Sequence, residues 1–422
     1  MKFKILVLLL AFSACNDQDS TQTQEVANSV SVYSDTLTRK LIEIEKESII
    51  PGFAVAIVHD DQVVYEQGFG YSNLKDSVLF TPRSVNFIAS ISKTFTGVGI
   101  MKLVEMGKLD LNEEVNNILP YKIINPHFPE IPITVKHLVT HTAGVKDAYD
   151  LEAIGDAEIV LLEEMEYEDK RIDSIMEQDF SYYRLGKYIT LQESVERYLS
   201  EDGKWYSEDN FSDYPPGTKY AYSNLGADLA ASIIELKSGM GFADFTQEYI
   251  FEPLEMSNTA WFYEDINKAL LSSIYRPDDW DNPTVAIEHP KYYYVGYSAG
   301  DLKSNIEDLC KYLMDMLNGF HGSGKILSAQ SYKTLFEPGL DASYFDEDRD
   351  ESPLNDEYNV GVFWAVSADG IRLHNGGSIG VYSFLYFNPI TNSGAVGFSN
   401  LPDASFGKIR DAVYEYETKI SQ

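Results

Sequence analysis

Between Val32 and Ile49 apolar residues recur at helical spacing, with Leu37, Leu41, Ile42 and Ile44 set among charges, which predicts an amphipathic helix ending before Pro51-Gly52. The period then shortens. The run Phe53 to Val58, turn residues at Asp60-Asp61, and the run Val63 to Gly70 read as two strands of an antiparallel hairpin. Thr81-Pro82-Arg83 leads into a helix-periodic run from about Ser90 that includes Val98, Ile100, Met101, Leu103 and Val104, apolar on more than one side and therefore buried. Ile133 to Gly144 reads as a short helix ended by Gly144. A firm turn at Pro215-Pro216-Gly217 precedes a long apolar-faced helix over Ala227 to Lys237, and Asp301 to Leu313 forms an amphipathic helix. The strand period returns in Val360 to Val366, Gly370 to His374, Tyr382 to Asn388 and Gly394 to Asn400, with a closing helix over Asp411 to Ile420. The expected fold is α/β (α+β): an antiparallel sheet built from both chain ends, flanked by helices, with an inserted, mostly helical lobe.

Composition adds limits to this outline. With 422 residues, 44% hydrophobic and 13% aromatic, the chain can bury a large core, expected as a single domain over 32–422. A net charge of -33 argues against nucleic acid or an anionic membrane surface as partner, since both would repel it. Acidic residues crowd the insertion 150–213, among many tyrosines, and this segment is a solvated cap or a lid that shapes a pocket. A second acidic loop, Asp341 to Asp356, is expected to be exposed and mobile. Residues 1–15 read as an export signal: Lys2 and Lys4, an apolar stretch from Ile5 to Leu10, and Phe12-Ser13-Ala14 before Cys15. Cysteine after Ser-Ala resembles a bacterial lipoprotein processing site, so Cys15 is the expected lipidation site and 16–31 a flexible tether. That places the protein, exported, in the bacterial cell envelope, periplasm or outer membrane, with the lipid as its membrane contact. Cys310 is then a core residue with no disulfide partner.

Three polar sets interrupt the apolar pattern where chemistry is plausible. Ser90 and Lys93 stand three apart at the head of the buried helix, a spacing that puts amine and hydroxyl on one face. Tyr222-Ser223-Asn224 follows the Pro-Pro-Gly turn, and His374-Asn375-Gly376-Gly377 follows a short strand. Acyl transfer by serine needs a base, two N–H donors for the oxyanion and a group to protonate the leaving atom. Lys93 or Tyr222 can serve as base, a neighbouring ammonium favouring the phenolate, and the N–H groups of Ser90 and Gly377 can form the oxyanion hole. His137 and His141, four apart, have a metal-binding spacing, but they are expected to buttress a turn by hydrogen bonds; neither metal nor organic cofactor is expected.

Together these sets resemble the serine β-lactamase and penicillin-binding-protein superfamily, in the branch of class C β-lactamases, D-stereospecific peptidases and related esterases. Ile88-Ala-Ser-Ile-Ser-Lys-Thr-Phe-Thr is similar to the family's nucleophile helix, Tyr222-Ser-Asn to its Tyr-x-Asn loop, and Leu138-Val-Thr-His-Thr-Ala-Gly-Val to its recurrent Leu-Leu-Thr-His-Thr-Ser-Gly-Leu turn. The resemblance runs from Ile50 to the final strands. It implies that Ser90 is acylated, Lys93 tunes it, Tyr222 relays a proton, His374 completes the catalytic set, and Asn224, Asn375 and Gly376 contact substrate. His374 stands where the family usually carries the lysine of Lys-Thr-Gly and Asn375 replaces the threonine, which implies weaker grip on a penicillin carboxylate. Tyr292, Tyr293, Tyr294 and Tyr382 line the pocket or belong to the core. The reading is a serine hydrolase acting through an acyl-enzyme on small amides, peptides or esters. The alternatives are a β-lactamase or D-Ala-D-Ala carboxypeptidase, and a non-catalytic receptor for peptidoglycan fragments.

Overall fold

Two aspartates decide the first hairpin. Asp60 and Asp61 both take left-handed φ angles, 47° and 60°, as a two-residue turn whose twist matches its flanking strands requires. The computed structural model describes residues 34–147, 159–163, 165, 167, 169–180, 184–185, 189–345 and 351–421; Cys15, the signal-like segment 1–15 and the tether 16–31 lie outside the described residues.

Strands β1 (Gly52–His59) and β2 (Gln62–Asn73) pair antiparallel through that turn, and a short β3 (Val78–Leu79) adds to the edge. From the other end of the chain come β4 (Ala365–Val366), β5 (Arg372–Ser378), β6 (Val381–Asn388) and β7 (Ser393–Ser399). β7 lies antiparallel to β1, with Phe53 opposite Ser399 and His59 opposite Ser393. One seven-stranded sheet, ordered β4-β5-β6-β7-β1-β2-β3, thus joins both chain ends as expected.

The longer helices are α1 (34–47), α2 (Ser92–Glu105), α3 (Lys170–Phe180), α4 (Leu191–Leu199), α5 (Asn224–Ser238), α6 (Ile306–Phe320), α7 (Ala329–Phe336) and α8 (Ser405–Ile420). Phe53, Val55 and Ile57 of β1 face a layer formed by Leu37 and Leu41 of α1 with Ile409 and Val413 of α8. Ala54, Ala56 and Val58 face the opposite way, into the core shared by α2, α5 and α6. A strand covered on both faces carries an unbroken apolar run instead of an alternation.

Several predicted boundaries shift. The helix expected over 133–144 stops at Val139, because His141 already turns left-handed with φ 53°, ahead of Gly144. Helix α5 begins three residues early, at Asn224, where the Ser223 hydroxyl caps the Gly226 N–H at 2.9 Å. Only Ala365–Val366 of the strand expected over 360–366 pairs with β5. Val362, Phe363 and Trp364 are all buried and Phe363 has φ 54°, so consecutive side chains turn inward where an extended strand would alternate them. Helix α6, which carries the buried Cys310, starts at Ile306, where the Asn305 side chain accepts the Asp308 N–H at 2.9 Å. The acidic insertion is mixed in its described part: α3 and α4 are helical, but Ile159–Leu161 pairs with Arg184–Leu185 and with Tyr292–Tyr294. The end of the second acidic loop is not exposed throughout, since Leu354 is buried.

Asn400, fully buried at the end of β7, closes the seam between the chain ends. Its Oδ1 accepts the Gly52 N–H at 2.9 Å, and its Nδ2 donates to Tyr71 O at 3.0 Å and Ser272 Oγ at 3.2 Å. Removing a buried side chain with these bonds strands two backbone groups away from water. Asn400→Ala is expected to lower unfolding free energy by about 2–4 kcal/mol, read as a lower denaturant midpoint at unchanged slope; an unshifted midpoint would contradict this role.

Candidate active site

Ser90, expected at the start of the helix, sits instead in a 3₁₀ turn over Ala89–Ile91 just before α2, which begins at Ser92. Ala89 is left-handed, φ 45°, a conformation that costs a non-glycine residue about 1–2 kcal/mol. Hydrogen bonds hold the turn from several sides: Ser92 Oγ to Ala89 O (2.6 Å), Ser383 Oγ to Ile88 O (2.8 Å), and Ile88 N–H to Leu302 O (2.9 Å). β5 runs close against it. A Cβ at Gly376 would lie 2.8 Å from Ile88 O and 3.0 Å from the Ala89 Cβ, which only glycine avoids.

Beyond residue 373, β5 has β6 on one side and no β4 partner on the other. The Asn375 N–H points to that open edge, where it donates to Asp356 Oδ2 at 3.2 Å. Backbone direction alternates along an antiparallel strand, so the Gly377 N–H points to the same edge. Ser90, Gly376 and Gly377 line one cavity of about 490 Å³.

Lys93 is fully buried beneath Ser90. Its Nζ lies 3.2 Å from Ser90 Oγ, 2.6 Å from Asn224 Oδ1 and 2.6 Å from Ala299 O, so all three hydrogen-bonded neighbours are neutral. Burial pulls its pKa down to about 8, against the opposing pull of Asp147 and Asp228. Asn224 Oδ1 and Ala299 O only accept, whereas the serine hydroxyl can also donate. When the amine loses its proton, its two N–H bonds stay on the acceptors and its lone pair is left facing Ser90.

Tyr222 lies over the amine, with Lys93 Nζ 4.8 Å from the ring centroid, and lines the same cavity as Ser90. The expected phenolate is reversed. Burial pushes the phenol pKa well above 10, the nearby Ser90 hydroxyl offsets this only in part, and Lys93 meets the ring face instead of the oxygen. About a third of the residue, 36%, is open to the cavity, and solvent at that face softens the shift without reversing it.

Two histidines complete the wall. His141 stacks on Tyr222 at 4.6 Å, and its Nδ1 accepts the Ser223 N–H at 3.2 Å. Sequence spacing alone did not mark this contact. His137 instead accepts the Thr134 N–H at the cap of its short helix, 3.3 Å away, so the pair serves separate neighbours, as the turn reading expects. His374 Nδ1 donates to Asn375 O at 2.6 Å, since that carbonyl can only accept. Burial lowers both histidines, His141 well below 6.5 and His374 to about 4, where Asp356 pulls back and Lys93 adds to the lowering. Both are neutral at pH 7.

The other expected site residues have partners within the protein. Asn224 does not line the cavity: its Oδ1 accepts from Lys93 and its Nδ2 donates to Asp147 Oδ2 at 2.8 Å, so both ends of the amide are engaged within the protein. Asn375 lines the cavity, but its Nδ2 donates to Leu354 O at 3.2 Å and so holds the acidic loop in place. Of the four tyrosines only Tyr382 lines the cavity; Tyr292 and Tyr293 are buried, and the Tyr292 and Tyr294 hydroxyls reach Ser378 Oγ at 2.9 Å. Asp356, Glu357, Asp403, Tyr220 and Arg410 line the cavity without having been singled out in the sequence.

A family model described as Beta-lactamase matches residues 37–418. Protein flp of Staphylococcus aureus (strain MRSA252) is 25% identical over 356 residues, which cover 83% of this chain; the chain spans about 60% of that curated relative's length. Among solved structures, the octameric penicillin-binding protein homologue from Pyrococcus abyssi superposes with a TM-score of 0.69 at 24% identity, over 92% of this chain and 77% of that one. The β-lactamase/D-alanine carboxypeptidase from Yersinia pestis gives 0.67 at 19% identity, over 93% and 99%. At these identities the two superpositions show a shared fold. With that fold, and with the family model spanning nearly all of the described residues, the chain belongs to the Beta-lactamase family.

Proposed function

We propose that the protein is a serine hydrolase that acylates Ser90 and hydrolyses the acyl-enzyme, acting on small amides, peptides or esters. The observation that carries this reading is the Lys93 amine, buried, held by two obligate acceptors and 3.2 Å from Ser90 Oγ. Neutral Lys93 takes the hydroxyl proton as Oγ attacks the carbonyl carbon. The Ser90 and Gly377 N–H groups hold the developing oxyanion. Neutral Tyr222 gives its proton to the leaving atom, the proton held by Lys93 returns to the phenolate, and water then repeats the sequence on the acyl-enzyme with both groups neutral again.

The cavity wall narrows the substrate class. Asp356, Glu357 and Asp403 line it with one cation, Arg410, which already pairs with Asp411 at 3.3 Å. His374 is uncharged, and with its Nδ1 donating to Asn375 O it offers Nε2 as an acceptor. Such a wall disfavours anionic ligands and suits acyl groups that are neutral, rich in donors, or positively charged. The second reading, a D-Ala-D-Ala carboxypeptidase, finds a parallel in the β-lactamase/D-alanine carboxypeptidase from Yersinia pestis and rests on Arg410 as holder of the peptide carboxylate.

Ser90→Ala is expected to abolish labelling by a fluorophosphonate probe, while Tyr222→Phe keeps the fold and lowers turnover about 10²–10⁴-fold; labelling that persists in Ser90→Ala would sink the assignment. The base is active unprotonated, so labelling of the native protein should climb as pH rises through about 8 and level off above it; a limb confined below pH 6 would point to a carboxylate or histidine instead. Against matched p-nitroanilides bearing an ammonium, a neutral or a carboxylate group, the anionic member is expected to have the lowest kcat/KM, by about tenfold or more. Preference for the anionic member, lost in Arg410→Ala, would move the choice to the carboxypeptidase reading.

A further inference from the structure

Asp147 was not singled out by its position in the sequence, and it does not touch the cavity. Its carboxylate is nonetheless the busiest acceptor near the site. One oxygen accepts from Ser223 Oγ (3.0 Å) and the Leu225 N–H (3.0 Å); the other accepts from the Asn224 N–H (2.9 Å) and Asn224 Nδ2 (2.8 Å). These bonds cap the first turn of α5, whose N-cap is Ser223.

The bond to Nδ2 has a further effect. An asparagine amide can face either way, and the two orientations exchange a donor for an acceptor. Asp147 can only accept at that point, so it admits the orientation with Nδ2 towards itself and Oδ1 towards Lys93. In the other orientation two acceptor oxygens would meet at Asp147 while two donors met at Lys93. The Lys93 amine is thereby left with a fixed acceptor at 2.6 Å, and with Ala299 O as the second, its third direction is aimed at Ser90.

From this geometry we infer that Asp147 is the positioning residue of the catalytic base: it locks the Asn224 amide, which in turn aims the Lys93 amine at Ser90. The inference rests on Ser90 acylation as proposed above. Charge acts in the same place. The groups facing Lys93 are Asp147 from the loop before the acidic insertion, Asp228 from α5, neutral His141 and His374, and the Tyr222 ring. Moving one carboxylate therefore moves the pH at which the amine loses its proton.

The test is the rate of Ser90 labelling by a fluorophosphonate as a function of pH, with circular dichroism to verify folding. Asp147→Asn is expected to slow labelling by about tenfold to a hundredfold and to move the rising limb to lower pH, because a negative charge near the amine is lost. The exchange Asp147→Asn with Asn224→Asp restores a donor facing an acceptor between the two side chains and brings the carboxylate next to the amine. It should recover part of the rate and move the limb above the native position. Native rate and limb in folded Asp147→Asn would overturn the inference, as would a folded exchange variant with the limb unmoved from that of Asp147→Asn. Loss of fold in both variants would also overturn it, since the carboxylate would then serve folding alone. If the native protein itself fails to label at Ser90, the acyl-enzyme reading falls first.

Discussion

The burial of one amine is the constraint around which the molecule is arranged. Lys93 lies out of water with neutral hydrogen-bond partners, and its folded pKa of about 8 lies below the ordinary 10.5 of a lysine. The folded protein therefore binds that proton less tightly than the unfolded chain does. Burial weighs against folding at neutral pH, and the penalty fades only as pH rises from about 8 towards 10.5. A site that opposes folding must be held by interactions elsewhere.

Three parts of the chain supply that support. Helix α2 carries Lys93 and is locked from the side of α6, where Phe95 stacks on Tyr312 at 3.9 Å and Thr94 Oγ1 bonds the Tyr312 hydroxyl at 3.0 Å. Helix α5 brings Asn224 at its first residue, fixed by Asp147. The turn over Tyr297–Ala299 brings the Ala299 carbonyl, and the Ser298 hydroxyl ties that turn to Asp228 of α5 at 2.6 Å. The sheet edge adds the Gly376-Gly377 backbone from the far end of the chain, which is why strands from both termini must share one sheet. Asn400, bonding Gly52 and Tyr71 across β1 and β2, secures that union.

The sheet was legible because its strands are buried on both faces and read as apolar runs bounded by turn residues such as Asp60-Asp61. Ser90, Lys93 and Tyr222 were legible because their types and spacing near helix starts follow the family's Ser-x-x-Lys and Tyr-x-Asn patterns. What the sequence hid were contacts that depend on packing. His141 reads as half of a metal spacing, and only the left-handed turn after Val139 brings it onto Tyr222. Asp147 stands at the head of a crowded acidic stretch, and nothing in the sequence separates it from its solvated neighbours. Asp356 is similar: one acid in a loop read as exposed, it meets Asn375 because β4 is too short to cover the β5 edge. Asn224 was found, but its bonds to Lys93 and Asp147 were not, since a pattern of types does not show which way an amide faces.

The same feature that hides these acids decides the character of the site. A net charge of -33 spread over a surface is ordinary solubility, and screening limits its reach to about 8 Å at physiological salt. Carboxylates in a cavity wall act through less water and weigh more on what enters. Asp356 lies beside His374, yet burial holds that ring near pKa 4 despite the carboxylate's opposing pull. A lysine in its place would have brought a positive charge; this histidine brings an uncharged acceptor. That one side chain therefore leaves Asp356, Glu357 and Asp403 in the wall without a second cation beside Arg410, while the hydrogen bonds around Lys93 do not depend on it.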